Sequence, residues 1–308
     1  MTKIFIDGKE GTTGLRIFER IGNRSGIELL TLPEEKRKDT ESRREMLNLC
    51  DIAFLCLPDA AAREAVSLIE NPAVRVIDTS TAHRTAAGWA YGFPEPTPDG
   101  AAKVASAARV AVPGCHASGF LAVTAPLISA GILNPKTALT AVSITGYSGG
   151  GKKMIAAYEA EDRPALYGAP RLYGLSQEHK HLPEMVARSG LAQVPFFLPY
   201  VADFYSGMHV SVPLPAESLS GSIDDVRACL AAAYKGPIVS FAENAGEDGF
   251  VSALGMSGKD SMEVFVSGNS DRIVVGARYD NLGKGASGAA IQCLNLMLGL
   301  DPTEGLEL

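Results

Sequence analysis

The stretch KIFIDGKEGTTG, at residues 3–14, leads from an apolar run directly into a glycine-rich turn. The apolar part predicts a short strand over Lys3–Asp7, and the pattern after the turn predicts a helix over Leu15–Ile21. The turn contains three glycines, at Gly8, Gly11 and Gly14. Such a turn lets the backbone approach a pyrophosphate closely, and the following helix offers free N–H groups to the anion. Because the spacing is GxxGxxG rather than the usual GxGxxG, an ordinary tight turn is the alternative interpretation.

The alternation of strand and helix continues from this turn to about residue 80. Apolar runs predict three further strands, at Ile27–Leu32, Ile52–Leu57 and Val74–Ile77. Amphipathic or alanine-rich segments predict helices at Glu41–Leu49 and from Pro58 to about Glu70. Strands that alternate with helices form parallel sheets with right-handed crossovers. We therefore expect an α/β, Rossmann-like dinucleotide-binding domain in this part of the chain.

Past residue 113 the regular alternation is lost. Strands are predicted at Thr137–Thr145, Phe196–Val201, His209–Leu214, Met262–Ser267 and Ile273–Tyr279. Helices are predicted at Ala117–Ala130, where Pro126 should kink the helix or be absorbed, and at Ala286–Leu298. Connections of varied length favour a mixed or antiparallel sheet. We expect an inserted α+β domain here.

The composition is ordinary for a soluble globular protein, with 46% apolar and 20% charged residues. The 308 residues include 28 Lys and Arg against 35 Asp and Glu, so the formal charge is −7. This charge argues against nucleic acid and anionic membranes as main partners. No segment approaches the roughly 18 apolar residues of a spanning helix, and no signal peptide is recognised. A cytoplasmic location is therefore expected.

Five cysteines are scattered along the chain without CxxC spacing, which is typical of a reducing compartment. Four of them lie among apolar neighbours and are predicted to be buried thiols: Cys50, Cys56, Cys229 and Cys293. The fifth has different surroundings. Cys115 lies in VPGCHASG, at residues 112–119, where a loop becomes a helix. A helix N-terminus lowers the pKa of a thiol, so we predict a nucleophile, with a structural cysteine as the alternative.

The end of the second predicted strand bears on the choice of cofactor. NAD-binding chains usually carry an acid there for the ribose 2′-hydroxyl. This chain has Thr31, with Glu34 and Glu35 slightly late, and then the basic run at 36–38. A hydroxyl and a basic cluster suit a 2′-phosphate, which favours NADP over NAD. The alternative is that the basic run is only a solvated surface.

A second cluster of reactive side chains is HKHLPE, at residues 179–184. Pro183 and Glu184 suit the first turn of a helix, which places His181 at its entrance. A histidine there can act as general acid and base, oriented by a carboxylate. The HxH pair could instead bind a metal, but no convincing further ligand appears, so no metal site is predicted. Simple helix capping remains an alternative.

Three further segments have the composition of anion-binding loops. YSGGGKK at 147–153 could cradle a phosphate with its N–H groups and lysines, or could be a flexible turn. NLGKGASG at 281–288 could form a second wall of the cofactor site. DTSTAHR at 78–84 follows a strand, where open α/β sheets place their ligands.

In their order along the chain these motifs resemble the N-acetyl-gamma-glutamyl-phosphate reductases, the arginine-pathway members of the semialdehyde dehydrogenase superfamily. The resemblance covers most of the chain and is carried by GKEGTTG at 8–14, VIDTSTAHR at 76–84, VPGC at 112–115, HKHLPE and NLGKGASG. The short chain and the form PGCHASG look like the compact branch. The longer branch usually continues PGC with Tyr-Pro-Thr and has an arginine in an MTRG-like segment. Here that region reads Phe204-Tyr205-Ser206-Gly207-Met208, which leaves the ligand of the substrate carboxylate open.

The resemblance assigns a role to each candidate residue. Cys115 is expected to be the nucleophile and His181 the acid and base, with Glu184 matching a family acid near that histidine. The residues expected to bind NADP(H) are Gly8, Gly11, Thr12, Thr13, Gly14, Thr31, Lys36, Pro58, Ser80, Asn281, Gly283 and Lys284. The residues expected to bind substrate are Arg84, Ser148, Gly149, Lys152 and His179.

The resemblance also implies the reaction, the domains and the assembly. We expect an NADP-dependent oxidoreductase that converts an acyl phosphate to an aldehyde and inorganic phosphate through a cysteine thioester. Residues 1–113 with 285–308 should form the NADP-binding domain, and residues 114–284 the catalytic and oligomerisation domain. A homodimer or homotetramer is expected. The rivals are a related aspartate-semialdehyde or acetylaminoadipate-semialdehyde dehydrogenase, a Cys/His hydrolase without cofactor, and a non-enzymatic dinucleotide sensor.

Overall fold

The computed structural model describes residues 1–22 and 24–308. The strands, in chain order, are β1 (Thr2–Asp7), β2 (Ile27–Leu30), β3 (Ile52–Leu55), β4 (Arg75–Asp78), β5 (Ala90–Tyr91), β6 (Arg109–Ala111), β7 (Thr140–Gly146), β8 (Arg171–Leu172), β9 (Phe196–Ala202), β10 (Met208–Pro215), β11 (Val239–Phe241), β12 (Met262–Gly268) and β13 (Arg272–Tyr279). The helices are α1 (Thr12–Ile21), α2 (Thr40–Leu49), α3 (Asp59–Ser67), α4 (Gly100–Ser106), α5 (Cys115–Ser129), α6 (Gly151–Glu159), α7 (Leu182–Ser189), α8 (Ile223–Ala233) and α9 (Gly288–Leu298). Within these described residues, no helix has the length and apolar character needed to cross a bilayer.

The chain divides into two compact units, each of which is assembled from three segments. The first unit contains Met1–Pro94, Ala101–Pro113 and Ala289–Gly305. The second contains Glu95–Gly100, Gly114–Gly288 and Leu306–Leu308.

The first unit is built on a parallel sheet, as the strand–helix alternation predicts. Its strand order is β2-β1-β3-β4-β6-β5, and neighbouring strands in this order run parallel. All four residues of β3, Ile52–Leu55, are buried, which explains its uninterrupted apolar sequence. Because β1 lies between β2 and β3, the chain reverses direction across the sheet at this point. Ligands of open α/β sheets bind at such a switch point, outside the carboxyl ends of the strands.

A buried ion pair joins the end of β1 to the two helices beside it. The Arg43 guanidinium, on α2, donates to the Asp7 carboxylate at 2.9 Å and 3.1 Å and to Glu64, on α3, at 3.0 Å. Asp7 and Arg43 are both buried. Burial raises the pKa of Asp7 although Arg43 and its hydrogen bonds act in the opposite direction. The pair therefore depends on Arg43 to keep the Asp7 charge in the interior.

The second unit is built on the expected mixed sheet. Its strand order is β11-β12-β13-β10-β7-β9-β8. The central strand β10 is antiparallel to both β13 and β7, whereas β7 runs parallel to β9 and β11 parallel to β12. Helix α5 packs on β10 and β13, and α8 packs on β12, so these helices cover one face of the sheet. Both fold-class predictions are thus confirmed.

Helix α5 differs from its prediction at its start and at Pro126. It begins at Cys115 rather than Ala117, and Pro126 lies inside it. A proline cannot donate to the carbonyl four residues earlier, which here belongs to Ala122. The buried Tyr234 hydroxyl donates to that carbonyl at 2.7 Å instead. This substitute bond explains how the helix continues through the proline.

Two of the cysteine predictions are wrong, and several short elements were not predicted. Cys50 and Cys293 are buried, but Cys56 and Cys229 are partly exposed. The short strands β5, β6, β8 and β11 carry too few residues for a periodic pattern. Helix α8 was missed although Ser222 and Asp225 form a capping box at its start, which the sequence Ser-x-x-Asp could have indicated.

The buried ion pair gives a test of the first unit. We expect Arg43→Met to lower the free energy of unfolding by about 3 kcal/mol at pH 7, because it leaves the Asp7 carboxylate buried and unpaired. Urea denaturation followed by the fluorescence of Trp89, the single tryptophan, reports on this unit. The matched control is Arg44→Met, which removes exposed ion pairs with Glu41 and Glu70 and should cost less than about 1 kcal/mol. Equal losses in the two variants would contradict the assignment.

Candidate active site

The predicted nucleophile is the first residue of a helix. Cys115 begins α5, and Gly114 precedes it in an extended conformation with φ −76° and ψ 143°. The first turn carries no acidic residue, so the positive end of the helix dipole is available to a thiolate. The Cys115 side chain is partly exposed. This is the placement that a reactive thiol requires.

Close packing fixes the start of this helix. A side chain on Gly285 would place its Cβ 3.0 Å from the Cβ of Cys115, so only glycine fits there without movement. The buried Tyr279 hydroxyl donates to the Cys115 carbonyl and accepts from the Gly119 N–H at 3.1 Å. The backbone around the thiol is therefore held from two sides, by β13 and by the turn that follows it.

The structure brings His181 and Cys115 together. His181 is buried and lies at the N-cap of α7. The residue after the nucleophile, His116, lies beside them. The Cys115 sulfur and one ring nitrogen each of His116 and His181 all lie within 4.8 Å of one another. The backbone N–H of His181 donates to Nδ1 of His179 at 3.2 Å, and the two rings are 4.8 Å apart. The HKH motif thus places His181 at the nucleophile and His179 against the His181 ring.

Glu184 holds the residue that precedes the nucleophile. Its buried carboxylate accepts a hydrogen bond from the backbone N–H of Gly114 at 3.1 Å. The bond joins the first turn of α7 to the residue immediately before the nucleophile. Glu184 therefore positions the Cys115 backbone, and its predicted role beside His181 stays a prediction.

Sequence reasoning missed His116, which follows the nucleophile and is buried. Its Nδ1 lies 2.7 Å from the Ser143 hydroxyl on β7, and its Nε2 lies 2.6 Å from the Tyr173 hydroxyl. Its ring centroid is 5.5 Å from that of His181. The only local signal was a histidine directly after the cysteine, because its partners lie 27 and 57 residues away.

The imidazoles of His116 and His179 are neutral at pH 7. Burial, with the charges of His179 and Lys180, lowers the pKa of His116 to about 3. Burial and the charge of Lys180 lower the pKa of His179 to about 4. Burial and the negative charge of Cys115 raise the pKa of Tyr173, so its hydroxyl keeps its proton. The pocket therefore contains hydrogen-bonding groups without fixed charge next to the nucleophile.

A thiol and two imidazoles are also the donor set of a soft metal ion. The three donor atoms of Cys115, His116 and His181 lie within 4.8 Å of one another. Tetrahedral zinc with bonds of 2.0–2.3 Å holds its ligand atoms roughly 3.5 Å apart. Both ring nitrogens of His116 already have hydroxyl partners. A metal would have to break those contacts and draw the donors together.

The predicted phosphate loop is tied to the segment after β13. Ser148 is buried, and its hydroxyl accepts from the Asn281 side-chain amide at 3.0 Å. The Asn281 oxygen accepts from the Gly207 N–H at 3.0 Å. The backbone of Gly149 passes close to Asn281, because a Cβ added to Gly149 would lie 3.4 Å from the side-chain nitrogen of Asn281. Lys152 is exposed at the start of α6.

The remaining predicted residues of this unit have partners of their own. Gly283 N–H donates to the buried Asp280 carboxylate at 3.0 Å, and a side chain at Gly283 would meet the Lys259 carbonyl. The Lys284 ammonium is buried and lies 2.7 Å from the Glu95 carboxylate. These contacts shape the turn that carries Gly285. Cofactor binding by this segment stays a prediction.

In the first unit the glycine turn has the geometry that a dinucleotide requires. Gly8 has φ +87°, and an added Cβ would lie 2.3 Å from the Cys56 carbonyl. A Cβ on Gly14 would lie 2.5 Å from the Gly8 carbonyl. Gly11 caps α1 without a side-chain hydrogen bond, so the N–H groups of the first turn, including Thr12 and Thr13, face no capping side chain.

A cleft of about 320 Å³ opens beside this turn. It is lined by Phe5, Ile6, Asp7, Gly8, Lys9, Glu10, Phe18, Leu30, Thr31, Leu32, Glu34, Arg37, Lys38, Arg43, Leu57 and Ala61. Its basic edge comes from Lys9, Arg37 and Lys38, whereas the predicted Lys36 lies on a short exposed turn and is not part of the lining. Arg37 pairs with the exposed Glu34 at 3.0 Å. Three basic side chains, Lys9, Arg37 and Lys38, outnumber Glu10 and Glu34 in this lining. Apolar walls and this excess of positive charge suit an adenosine with a phosphate on its ribose.

The other predicted residues of this unit follow β3 and β4. Pro58 caps α3, and the Ser80 hydroxyl donates to the buried Asp78 carboxylate at 2.8 Å. Arg84 is buried, and its guanidinium donates to the carbonyls of Val112 and Thr79 at 2.9 Å and 3.1 Å. Arg84 therefore supports the segment that leads toward VPGC. Its predicted contact with substrate stays a prediction.

The sequence matches two family models that together span most of the chain. Residues 3–104 match the NAD binding domain of semialdehyde dehydrogenase, and residues 115–281 match its dimerisation domain. An N-acetyl-gamma-glutamyl-phosphate reductase 2 of Nostoc sp. is 46% identical over 99% of both chains. A reductase of the same name from Rhizobium johnstonii is 47% identical over 96% of this chain and 98% of its own. The chain belongs to the N-acetyl-gamma-glutamyl-phosphate reductases of the semialdehyde dehydrogenase family.

Solved structures with this fold come from the wider family. An aspartate semialdehyde dehydrogenase of Francisella tularensis has a TM-score of 0.71 at 13% identity, covering 97% of this chain and all of its own. The aspartate semialdehyde dehydrogenase II of Vibrio cholerae has a TM-score of 0.70 at 15% identity, covering 97% and 98%. The family membership rests on the sequence relatives, and these structures support the fold.

The low histidine pKa values predict sensitivity to acid. Unfolded His116 has a pKa near 6.5, whereas burial lowers the pKa of folded His116 to about 3. Between these two pH values the unfolded state binds a proton that the folded state does not bind. This stabilising contribution is complete above pH 6.5 and is lost as the pH falls toward 3. Between pH 7 and pH 5 we expect protonation of unfolded His116 to lower the free energy of unfolding by about 2 kcal/mol. Thermal unfolding followed by circular dichroism should show a smaller acid loss in His116→Gln, and identical pH dependence in both proteins would contradict it.

Proposed function

We propose that this protein reduces N-acetyl-gamma-glutamyl phosphate with NADPH to N-acetyl-L-glutamate 5-semialdehyde and inorganic phosphate, in arginine biosynthesis. The observation that carries the proposal is the placement of the Cys115 thiol at a helix N-terminus within reach of the buried His181. Relatives covering nearly the whole chain bear the name of this activity. Thioester chemistry at this site is the step that the geometry supports.

In the first step the Cys115 thiolate attacks the carbonyl carbon of the acyl phosphate. A carbon–sulfur bond forms, and the phosphate leaves with the electron pair of the bond it breaks. The helix dipole favours the thiolate, and the clamped backbone at Cys115 fixes the direction of attack. Ser148, Gly149 and the exposed Lys152 are proposed to receive the departing phosphate. His179 is proposed to contact the substrate from the imidazole side of the pocket.

The second step is reduction of the thioester. NADPH, when bound, supplies the hydride. His181 donates a proton to the oxygen that becomes negative, which gives a thiohemiacetal on Cys115. The same histidine then takes the hydroxyl proton as the carbon–sulfur bond breaks, and the aldehyde leaves with the thiolate restored. One histidine therefore serves as acid and then as base.

The cofactor site fits NADP(H) in two respects. The close approach of Gly8 to the Cys56 carbonyl leaves a cradle that any Cβ would fill, which suits a pyrophosphate. Thr31, Arg37 and Lys38 line the cleft where an NAD-specific site would carry an acid after the second strand. Pro58 and Ser80 are further proposed contacts in this unit. Cofactor contacts of Lys36, which lies outside the cleft, and of Asn281, Gly283 and Lys284 in the second unit stay predictions.

Substrate preference is proposed to come from neutral polar groups near the nucleophile. The pKa values of His116 and His179 are low, and Tyr173 keeps its proton, so these groups offer hydrogen bonds without charge. Such groups can bond an acetamido group, whereas a free amino group calls for a carboxylate. A site built to bond a polar group of its substrate can reject an analogue lacking it by as much as roughly 10⁴-fold.

We also propose a homodimer or homotetramer, with the second unit as the oligomerisation domain. Residues 115–281 match a dimerisation domain. On the sheet face opposite α5 and α8, partly exposed apolar side chains lie side by side: Val142, Ile144, Leu198, Tyr200 and Val274. A second copy of this chain can cover them. We assign residues 1–113 with 285–308 to NADP binding and 114–284 to catalysis and assembly.

A cytoplasmic location is proposed on the state of the thiols. Within the described residues all five cysteines are free. Burial raises the pKa of Cys50 to about 12, so this thiol resists oxidation and does not compete with Cys115.

The assay that tests the function runs in reverse, with phosphate and NADP⁺ on three aldehydes. Catalytic efficiency should be highest with N-acetylglutamate semialdehyde, above its homologue one methylene longer and above aspartate semialdehyde. Cys115→Ser should abolish turnover, and His181→Asn should lower kcat by about 10²- to 10⁴-fold, far more than His179→Asn. Preference for another aldehyde would change the substrate and leave the mechanism. Full activity of Cys115→Ser would refute the thioester.

The basic edge of the cleft gives a test of cofactor choice. We expect Lys38→Ala to raise the KM for NADPH about tenfold and to leave the KM for NADH within about twofold, because a charged hydrogen bond to phosphate contributes roughly 1.5–3 kcal/mol. The matched control is Lys103→Ala, on α4 and outside the cleft. Steady-state kinetics with both cofactors decides it. An equal effect on NADPH and NADH would show that Lys38 is not near the 2′-phosphate.

A further inference from the structure

His116 is held by side chains from two other parts of the second unit. It is 3% exposed, although it follows the partly exposed nucleophile. Ser143, on β7, occupies its Nδ1 at 2.7 Å, and the Tyr173 hydroxyl occupies its Nε2 at 2.6 Å. With both nitrogens bonded, the ring cannot rotate without losing a buried hydrogen bond. Its orientation is therefore fixed by the sheet and by the chain beside β8.

Both partners of His116 are hydroxyl groups, which donate or accept as required. A neutral imidazole with one N–H is satisfied by them in either tautomer. Burial and the nearby charges lower its pKa to about 3, and no carboxylate is among its bonded partners. The titratable or charged groups that face it are Cys115, Tyr173, His179, Lys180 and His181. The ring is therefore neutral over the working range of the enzyme.

The fixed ring is the surface against which the other imidazoles pack. Its centroid is 5.5 Å from His181 and 5.6 Å from His179, the latter with an interplanar angle of 83°. Phe197 closes the cluster, 5.2 Å from His116 and 5.0 Å from His179. A movement of His116 would thus displace the His181 ring and change the distance between that ring and the thiol.

We propose that His116 is a positioning residue for the reaction, a neutral imidazole anchored by Ser143 and Tyr173 that holds the His181 ring in place relative to the Cys115 sulfur. The inference rests on the proposed function, because it assigns His116 a role in the proton transfers of His181. It also explains why the ring is anchored by hydroxyls and not by a carboxylate. A cation at this position would repel the proton that His181 must carry and would hold the thiolate in an ion pair.

The test compares three variants of the site with one matched control. His116→Phe keeps a ring but loses both anchors, His116→Gln keeps a neutral donor and acceptor, and Tyr173→Phe removes one anchor. The control is Tyr234→Phe, which removes a buried hydroxyl outside α5. That hydroxyl donates to the carbonyl of Ala122, which lies in α5, as His116 does, but away from the start of the helix. All four are assayed as the full chain for kcat, KM, the pH dependence of kcat and thermal stability.

We expect His116→Phe to lower kcat by about 10- to 100-fold with KM changed less than about twofold, since small misplacement of a reacting group has costs of this size. The pH profile of kcat should move. His116→Gln should recover at least about half of the loss on a logarithmic scale, and Tyr173→Phe should fall between them. Tyr234→Phe should lose stability while its kcat and pH profile remain those of the parent. If His116→Phe does not fold, Tyr173→Phe carries the same comparison.

Two outcomes would overturn the proposal. One is a parental kcat and pH profile in both His116→Phe and Tyr173→Phe. The other is the same change in Tyr234→Phe, which would mean that the loss of any buried hydroxyl bonded to α5 has the effect.

Failure of the proposed function is recognised separately, because the parent protein would then show no phosphate-dependent aldehyde oxidation. In that case the pH dependence of Cys115 alkylation by iodoacetamide, followed on its own peptide by mass spectrometry, tests the positioning without turnover. A profile that moves in His116→Phe but not in Tyr234→Phe supports the proposal, and unmoved profiles in both refute it.

Discussion

The hydrogen bond from the Gly114 amide to the buried Glu184 carboxylate joins two helices whose starts lie about 70 residues apart in sequence. It fixes the first turn of α7 beside the first turn of α5. Since His181 caps one helix and Cys115 begins the other, this one bond helps set the distance between the acid–base group and the nucleophile. A charged acceptor in a buried site makes the bond stronger than a neutral one. The chemistry of the site depends on this joint between two helix ends.

Close approach of backbones supplies the second constraint. Gly285 touches the Cys115 side chain, and Gly119 lies against the Tyr279 ring. In both places a methyl group would push the nucleophile or its helix away from the sheet. The polar contacts around the site can be short because these glycines let β13 and the turn after it come so near. Packing and chemistry are thus set by the same residues.

The sequence was sufficient for features that depend on local pattern and insufficient for those that depend on distant contacts. Parallel strands were recognisable because fully buried segments such as Ile52–Leu55 are continuously apolar. Cys115 and His181 were recognisable because helix starts have their own signals, here Pro113-Gly114 and Pro183-Glu184. His116 was not, because its role comes from Ser143 and Tyr173, which are far away in the chain. The continuation of α5 through Pro126 was equally hidden, since it depends on the Tyr234 hydroxyl.

The turn beside the nucleophile contains a buried charge. The Lys284 side chain is 1% exposed, and its nitrogen lies 2.7 Å from the Glu95 carboxylate. Removing one partner of a buried ion pair is strongly destabilising, because the other charge stays in the interior. Gly285, whose backbone approaches Cys115, follows Lys284 directly, so Glu95 helps to hold the wall against which the nucleophile packs.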